Sequence, residues 1–374
     1  LSMKLLRVKT SNFKNCEKDT VIDLVAKSKK TSEDKEYELQ EVAEDLYIYS
    51  VGAFIGKNAS GKTTALEILD CCYDILGTFA LENKHYSYDG IELEITFYQE
   101  GFLYRYTTEL KNDPTSMNKA VFVNQHLYKK QYFKTKINSI YDFSEYKELT
   151  NLTQLPEDTS ITFFVLKKKQ VQSVFFNSED MGIHTYQRVF MLLKMYSISD
   201  TILTSIVRIF DNNIHSIEMI DEHNYRVDIC GNVRILSDKG LLYILSSGTT
   251  KGLLLYTLAV ASLKTGFTLL IDEAETHFHK TLVENLLSLY MDKNVNKQNA
   301  SLLFSTHYCE VLDLLNRQDN IWVCQSNEKV MIKNMYEYFN VRSGILKSKC
   351  FYNNTFQTAV NYEDLMDLKW NLMR

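Results

Sequence analysis

Proline is nearly missing from this sequence of 374 residues, which has 2 prolines and only 13 glycines. The few glycines that do cluster are therefore informative. Cysteine occurs 7 times, an odd number, and no pair has the C-x-x-C spacing. These counts argue against a disulfide framework and predict a reduced, cytoplasmic protein whose cysteines act as small core residues.

Long apolar runs and an excess of positive charge are also missing. No stretch of about 18 residues is apolar and free of charge, so we expect no membrane-spanning segment, and the first residues form no apolar signal segment. The 42 basic and 47 acidic side chains give a net charge of -5, which disfavours a strongly basic nucleic-acid binder but leaves a local basic patch open. The content of 45% hydrophobic and 24% charged residues excludes a disordered chain and a collagen-like fibre.

The order of apolar segments predicts an α/β protein with a mixed sheet flanked by helices. From residue 241 onward, helices and strands alternate, which implies parallel strands. Apolar and polar residues alternate on both sides of Gln99 to Gly101, which predicts a hairpin. Residues 27–45 are rich in charges of both signs, which predicts a solvated loop. The predicted strands are 4–13, 21–25, 46–55, 91–98, 102–110, 267–271, 301–305 and 320–325, and a helix is expected over 63–80.

A glycine loop joins the buried strand 46–55 to the helix 63–80 and fits the pattern G-x-x-x-x-G-K-[ST]. Its glycines let backbone N–H groups approach a phosphate, and the positive end of the helix dipole points at the same anion. Lys62 would bridge the β- and γ-phosphates, and Thr63 would coordinate Mg²⁺. The predicted nucleotide-binding residues are Gly56, Lys57, Asn58, Ala59, Ser60, Gly61, Lys62, Thr63 and Thr64.

Two carboxylates, Asp272 and Glu273, end a buried strand in the arrangement called Walker B. Asp272 would hold Mg²⁺ through water, and Glu273 would orient and polarise the attacking water. By themselves, these residues could equally be the acidic start of a helix. The phosphate-binding loop in the same chain favours the catalytic interpretation.

The segment Leu245 to Thr249 precedes an apolar helix that leads to the Walker B strand. It resembles the L-S-G-G-Q signature of ABC ATPases, with Ser247 in place of the first glycine and Thr249 in place of the glutamine. The resemblance implies that Ser246, Ser247 and Gly248 close on the γ-phosphate held by the other protomer. A serine in this position is also a common helix N-cap.

His307 ends the next predicted strand, where ABC-type ATPases place a histidine that contacts the γ-phosphate or the lytic water. The segment between these motifs resembles the Asp-Glu-x-Glu-x-x-Leu-His segment of relatives. That resemblance implies that Glu275 and His279 lie near a dimer seam, while helix capping is the alternative for both.

These motifs, together with Asn12-Phe13-Lys14, resemble the ABC-type ATPases of the overcoming-lysogenization-defect, RecF and SMC group, from Met3 to about Glu337. The resemblance implies a P-loop NTPase that binds ATP and Mg²⁺, hydrolyses ATP with Lys62, Glu273 and His307, and forms a homodimer or higher homo-oligomer. No glutamine is assigned to the Q-loop of such enzymes.

We divide the chain into four regions on this basis. Residues 3–110 would form an N-terminal ATPase lobe, and residues 236–340 a C-terminal lobe with the signature, Walker B and His307. Between them, residues 111–235 would form an inserted, mostly helical arm, because spacings such as that of Val189, Leu192 and Leu193 are typical of helices. Residues 341–374 would form a C-terminal tail.

The arm lacks heptads and the room for an SMC-length coiled coil, and the segment after His307 is too short for a fused TOPRIM nuclease. We therefore expect a stand-alone motor, as in PARIS- or Septu-like bacterial anti-phage systems, where a separately encoded nuclease or toxin is the effector. One alternative is a RecF-like DNA-binding ATPase in repair or maintenance, with a basic groove at Lys129–Lys130 and Lys167–Lys169. The ATPase subunit of a transporter is a weaker alternative.

Overall fold

The computed structural model of the chain describes residues 3–31, 34, 37–149, 173–176, 183–277, 279–339, 341–342, 345–356 and 362–373. Two six-stranded sheets, a three-stranded sheet and a two-stranded sheet lie in these ranges. The strands are β1 (Lys4–Ser11), β2 (Thr20–Asp23), β3 (Leu39–Ala43), β4 (Leu46–Tyr49), β5 (Val51–Ile55), β6 (Ile91–Gln99), β7 (Phe102–Asp113), β8 (Ser116–Gln131), β9 (Lys147–Glu148), β10 (Ser173–Phe176), β11 (Ile214–Met219), β12 (Asn224–Ile229), β13 (Asn232–Ser237), β14 (Thr268–Ile271), β15 (Ser301–Thr306), β16 (Ile321–Ser326) and β17 (Val330–Asn334).

The helices flank these sheets. They are α1 (Lys62–Gly77), α2 (Ile183–Met195), α3 (Asp200–Phe210), α4 (Asp238–Ile244), α5 (Ser247–Thr265), α6 (Ala274–His277), α7 (Lys280–Met291), α8 (Met335–Tyr338), α9 (Lys347–Tyr352) and α10 (Tyr362–Leu372). The predicted α/β class is confirmed. The predicted strands and the helix 63–80 are found with ends that differ by a few residues, and the strand 46–55 is divided into β4 and β5.

The central sheet has the strand order β10-β14-β15-β5-β16-β17, and all of its strands except β17 run parallel. Its middle strands are buried on both faces, as their continuous apolar runs require. In β14, for example, Leu269 packs into one core and Leu270 into the core on the opposite face. Because parallel strands end at the same edge, the segments that follow β5, β14 and β15 meet there.

The second sheet is antiparallel, in the order β2-β1-β6-β7-β8-β9. It covers α1, whose buried residues Leu66 and Leu69 share a core with Phe97 of the second sheet and Leu303 of the central sheet. The helix that follows the glycine loop is therefore enclosed between two sheets. On the opposite face of the central sheet, α2, α3, α5 and α7 contribute to the other core.

The prediction of a mostly helical region over 111–235 is wrong for the described residues. β8 runs from Ser116 to Gln131 and pairs with β7 across the predicted boundary at residue 110, and β11, β12 and β13 form a three-stranded sheet. The helical spacing of Val189, Leu192 and Leu193, on which the prediction is based, belongs to α2. The residues near 120 pair with β7 and are therefore part of the antiparallel sheet. The region 27–45, predicted as a loop, contains β3, because Leu39 and Gln40 are buried beside β4.

Candidate nucleotide-binding site

The glycine loop lies between the end of β5 and the start of α1, and two of its positions require glycine. Gly61 has φ +95°, and a Cβ atom there would lie 2.3 Å from Val330 Cγ1. A Cβ atom on Gly56 would lie 2.3 Å from Ser60 Oγ and 2.4 Å from the carbonyl oxygen of Cys324. Ser60 Oγ is buried and has no hydrogen-bond partner among the described residues. The loop is thus a tight backbone turn that contains an unpaired hydroxyl group.

Lys62 is the first residue of α1 and is buried. Its Nζ donates hydrogen bonds to the carbonyl oxygens of Gly56 at 3.2 Å and Lys57 at 3.1 Å, so the side chain folds back over the loop. Burial lowers the pKa of Lys62, and nearby carboxylates oppose this shift. Among the described residues, Lys62 forms no ion pair within 4.0 Å, and the hydrogen-bond partners of its ammonium group are neutral carbonyl oxygens. Such a buried ammonium group is well suited to bind an anion.

Thr63 and Asp272 join the two predicted motifs directly. Thr63 Oγ1 donates a hydrogen bond to Asp272 Oδ2 at 2.7 Å, and Ser305 Oγ donates to Asp272 Oδ1 at 2.5 Å. Sequence analysis did not identify Ser305. A buried serine at the end of the apolar run in β15 was the available signal. Both Asp272 oxygens are thereby held in place, one by the first turn of α1 and the other by the end of β15.

Glu273 has a left-handed backbone with φ +47°, which is strained for a residue with a side chain. Its main-chain N–H donates a hydrogen bond to Ser305 Oγ at 2.7 Å, which helps to hold this conformation. The N–H of Asp272 donates to the carbonyl oxygen of Phe176 at 2.9 Å, which places the end of β10 at the same edge. Sequence analysis also missed β10, a short strand whose position depends on pairing with β14.

His307 follows β15 and lies beside Glu275. Its main-chain N–H donates a hydrogen bond to Glu275 Oε1 at 2.7 Å, and its Nε2 atom is 4.0 Å from the same oxygen. Burial lowers the pKa of His307, and the positive charge of Lys62 lowers it further, while neighbouring carboxylates oppose the shift. His279, in contrast, caps α7, where its Nδ1 accepts a hydrogen bond from the Thr281 N–H at 3.4 Å.

The predicted signature residues lie on the exposed first turn of α5. Ser246 is the N-cap: its Oγ accepts a hydrogen bond from the Thr249 N–H at 3.1 Å and lies 2.8 Å from Thr249 Oγ1. Ser247 and Gly248 are exposed beside it. The structure therefore groups the glycine loop, the Walker B carboxylates and His307, and it presents Ser246 to Gly248 on a separate, outward-facing helix start.

The lysines considered for a basic groove are engaged within the fold where the structure describes them. Lys130 Nζ pairs with Glu145 at 2.6 Å, and Lys129 Nζ lies 3.7 Å from the centre of the Phe102 ring. Lys167–Lys169 lie outside the described residues.

The described part of the chain contains no group of three or more His, Cys, Asp or Glu side chains placed to bind a metal ion by themselves. Among the helices described, none combines the length and apolar character needed to cross a membrane.

No protein-family model matches the chain, and no curated protein matches its sequence. Solved structures align with most of the chain at low sequence identity. The SMC head domain from Thermotoga maritima aligns with 88% of this chain and 98% of its own, at 13% identity and a TM-score of 0.44. An SMC head bound to the C-terminal winged-helix domain of ScpA aligns with 88% of this chain and 96% of its own, at 12% identity and a TM-score of 0.43.

Proposed function

We propose that this protein is an ABC-type ATPase that binds ATP with Mg²⁺ and hydrolyses it to ADP and phosphate. The observation that carries the proposal is the hydrogen bond of 2.7 Å between Thr63 and Asp272. It joins the hydroxyl group at the start of α1 to the carboxylate at the end of β14, next to a tight glycine loop and a buried lysine. These are the parts that phosphoryl transfer needs, since its catalysis depends on positioning and on stabilising negative charge.

Thr63 and Asp272 are suited by their chemistry to bind Mg²⁺. A hydroxyl and a carboxylate oxygen already within hydrogen-bond distance are hard oxygen donors of the kind that this ion prefers. Thr63 would hold the ion directly and Asp272 would hold it through water, while the ion supplies positive charge beside the phosphates. Ser305 keeps Asp272 in place by donating to its second oxygen.

The remaining groups of the site would contact the phosphates or the attacking water. The loop N–H groups from Gly56 to Thr64 would bind the phosphate chain, and Lys62 would exchange its carbonyl partners for phosphate oxygens. Glu273 would orient and polarise the attacking water, and His307 would contact the γ-phosphate or that water.

We further propose that two protomers close around two nucleotides. The outward-facing start of α5, with Ser246, Ser247 and Gly248, would meet the γ-phosphate bound by the partner. A helix N-terminus attracts anions through its dipole and its free N–H groups. Loss of the γ-phosphate would remove this bridge and loosen the homodimer.

We propose a biological role on the basis of the motif resemblance described above. A nucleotide-switched homodimer in the bacterial cytoplasm would regulate a separately encoded nuclease or toxin in anti-phage defence. The alternative of a DNA-binding ATPase in repair or maintenance gains no support from Lys129 and Lys130, because Phe102 and Glu145 already engage these lysines. Binding of DNA without a partner protein, weakened by added salt, would favour that alternative.

The decisive experiment compares the wild type with Glu273→Gln. The variant should bind ATP with unchanged affinity but lose turnover by about 100-fold or more, because an amide cannot accept the proton of water. It should therefore accumulate the closed dimer, seen as a doubled mass in light scattering with ATP and Mg²⁺. A matched control is Glu284→Ala on α7, where the carboxylate pairs with Lys280 at 3.7 Å.

Two results would count against the proposal. Wild-type protein without magnesium-dependent ATP hydrolysis would remove the enzymatic assignment. Hydrolysis combined with one unchanged mass in every nucleotide state would leave the ATPase in place and remove the dimer.

A further inference from the structure

Within the described part of the chain, the carboxyl group of Glu275 has one oxygen that accepts a hydrogen bond and one oxygen that has no partner. Oε1 accepts the main-chain N–H of His307 at 2.7 Å. Oε2 is buried and has no hydrogen-bond partner among the described residues. Only 10% of this side chain is exposed, compared with 31% for the His307 side chain beside it. The result is a nearly buried carboxylate that is only half satisfied.

Such an arrangement is costly for the fold. An ionised carboxylate can accept several hydrogen bonds, and burying one of its oxygens without a donor carries a desolvation penalty. A buried carboxylate kept for stability alone would be expected to have both oxygens paired, as Asp319 has through Arg317 and the Lys27 N–H. The free oxygen of Glu275 indicates a donor that arrives in another state of the site.

The imidazole ring of His307 can supply a donor close to this carboxyl group. Its Nε2 atom is 4.0 Å from Glu275 Oε1, too far for a hydrogen bond but within the reach of a ring rotation. The main-chain bond already ties the two residues together, so a turn of the ring does not require either backbone to move. His279, the other residue of this segment, is occupied as the N-cap of α7.

We propose that Glu275 is a positioning residue for His307: it holds the His307 backbone through Oε1 and receives the turned imidazole ring through Oε2 when nucleotide is bound. This inference rests on the proposed ATPase function and adds a residue to it. Glu275 acts through His307 and makes no contact of its own with the phosphates. Its removal should therefore slow the chemical step and leave the binding of ATP intact.

A double-mutant cycle tests this directly. Four proteins are compared: the wild type, Glu275→Ala, His307→Ala and the double variant. We expect Glu275→Ala to lower kcat by about 10- to 100-fold, since misplacement of a catalytic group has effects of this size. The KM and the affinity for a non-hydrolysable ATP analogue should stay within about threefold of the wild type. The double variant should be no slower than His307→Ala, because the two residues act as one unit.

The conservative variant Glu275→Gln separates a positioning role from a purely structural one. Its amide oxygen can still accept the His307 main-chain N–H, while its NH₂ group cannot accept the ring N–H. We expect its kcat to lie between those of the wild type and Glu275→Ala. Should Glu275→Ala fail to fold by circular dichroism, Glu275→Gln takes its place in the cycle with the same expected non-additivity. Glu284→Ala serves as the control and should leave kcat unchanged.

The outcomes are distinct. Multiplicative losses in the double variant would show that Glu275 acts independently of His307 and would overturn the inference while the ATPase function stands. A loss of analogue affinity at full kcat would overturn it as well. Wild-type protein that binds the analogue but never hydrolyses ATP would overturn the proposed function and this inference together.

Discussion

Thr63 and Asp272 are separated by 209 positions in the chain, yet the threonine hydroxyl donates to the aspartate carboxylate at 2.7 Å. Thr63 is carried by the first turn of α1, and Asp272 directly follows β14. Their contact forms because β5 and β14 are parallel strands of one sheet with β15 between them. Each motif supplies one of these two groups, and the sheet brings the two groups into contact.

Gly61 should be intolerant of any side chain. Replacement by alanine adds a Cβ atom 2.3 Å from Val330 Cγ1 to the strain of φ +95°, so we expect a loss of about 2 kcal/mol in the free energy of unfolding. Gly101→Ala is the matched control, because Gly101 has φ +86° but no atom within 4 Å of the added Cβ. The free energy of unfolding of Gly101→Ala should fall by only about 1 kcal/mol. Urea denaturation measures both, and equal losses would show that contact with Val330 is unimportant.

Ser246→Asp should separate stability from dimer formation. Aspartate is as good an N-cap as serine, so the free energy of unfolding should change by less than about 0.5 kcal/mol. The added negative charge faces the partner's γ-phosphate in the proposed dimer, so ATP-dependent dimerisation should be lost in light scattering. Ser199→Asp is the matched control, because Ser199 caps α3 by accepting the Ile202 N–H. Dimerisation of Ser246→Asp at the wild-type ATP concentration would contradict the trans contact.

The stability of the protein should depend on His307 at mildly acidic pH. Burial and the charge of Lys62 lower the pKa of His307 from 6.5, so the unfolded chain binds the proton more tightly than the folded protein. The stabilising contribution is thus fully present above about pH 6.5 and is lost as the pH falls through the folded-state pKa.

Urea denaturation between pH 8 and 5 checks this expectation. The free energy of unfolding should fall less steeply with decreasing pH for His307→Gln than for the wild type. Subtracting the two curves cancels the titration of all groups that the proteins share. Parallel curves would mean that the pKa of His307 is the same in the folded and unfolded states.

Sequence patterns located the motif residues but missed the groups that support them. Ser305, which bonds both Asp272 and the Glu273 N–H, has no motif spacing, and its role depends on β15 lying beside β14. The sequence also left open whether Glu275 and His279 cap helices or have a functional role. Their hydrogen bonds differ because His279 caps the start of α7, whereas Glu275 faces the end of β15.

The sequence by itself determined the local chemistry: a glycine loop before a helix, carboxylates after an apolar strand, and a serine that starts a helix. These depend on backbone freedom and side-chain type within a few residues, which short patterns record. Only the tertiary structure decided that residues 116–131 belong to an antiparallel sheet, that β10 borders β14, and that Thr63, Asp272 and Ser305 share one site. Strand pairing and burial are set by distant partners, so no local pattern could specify them.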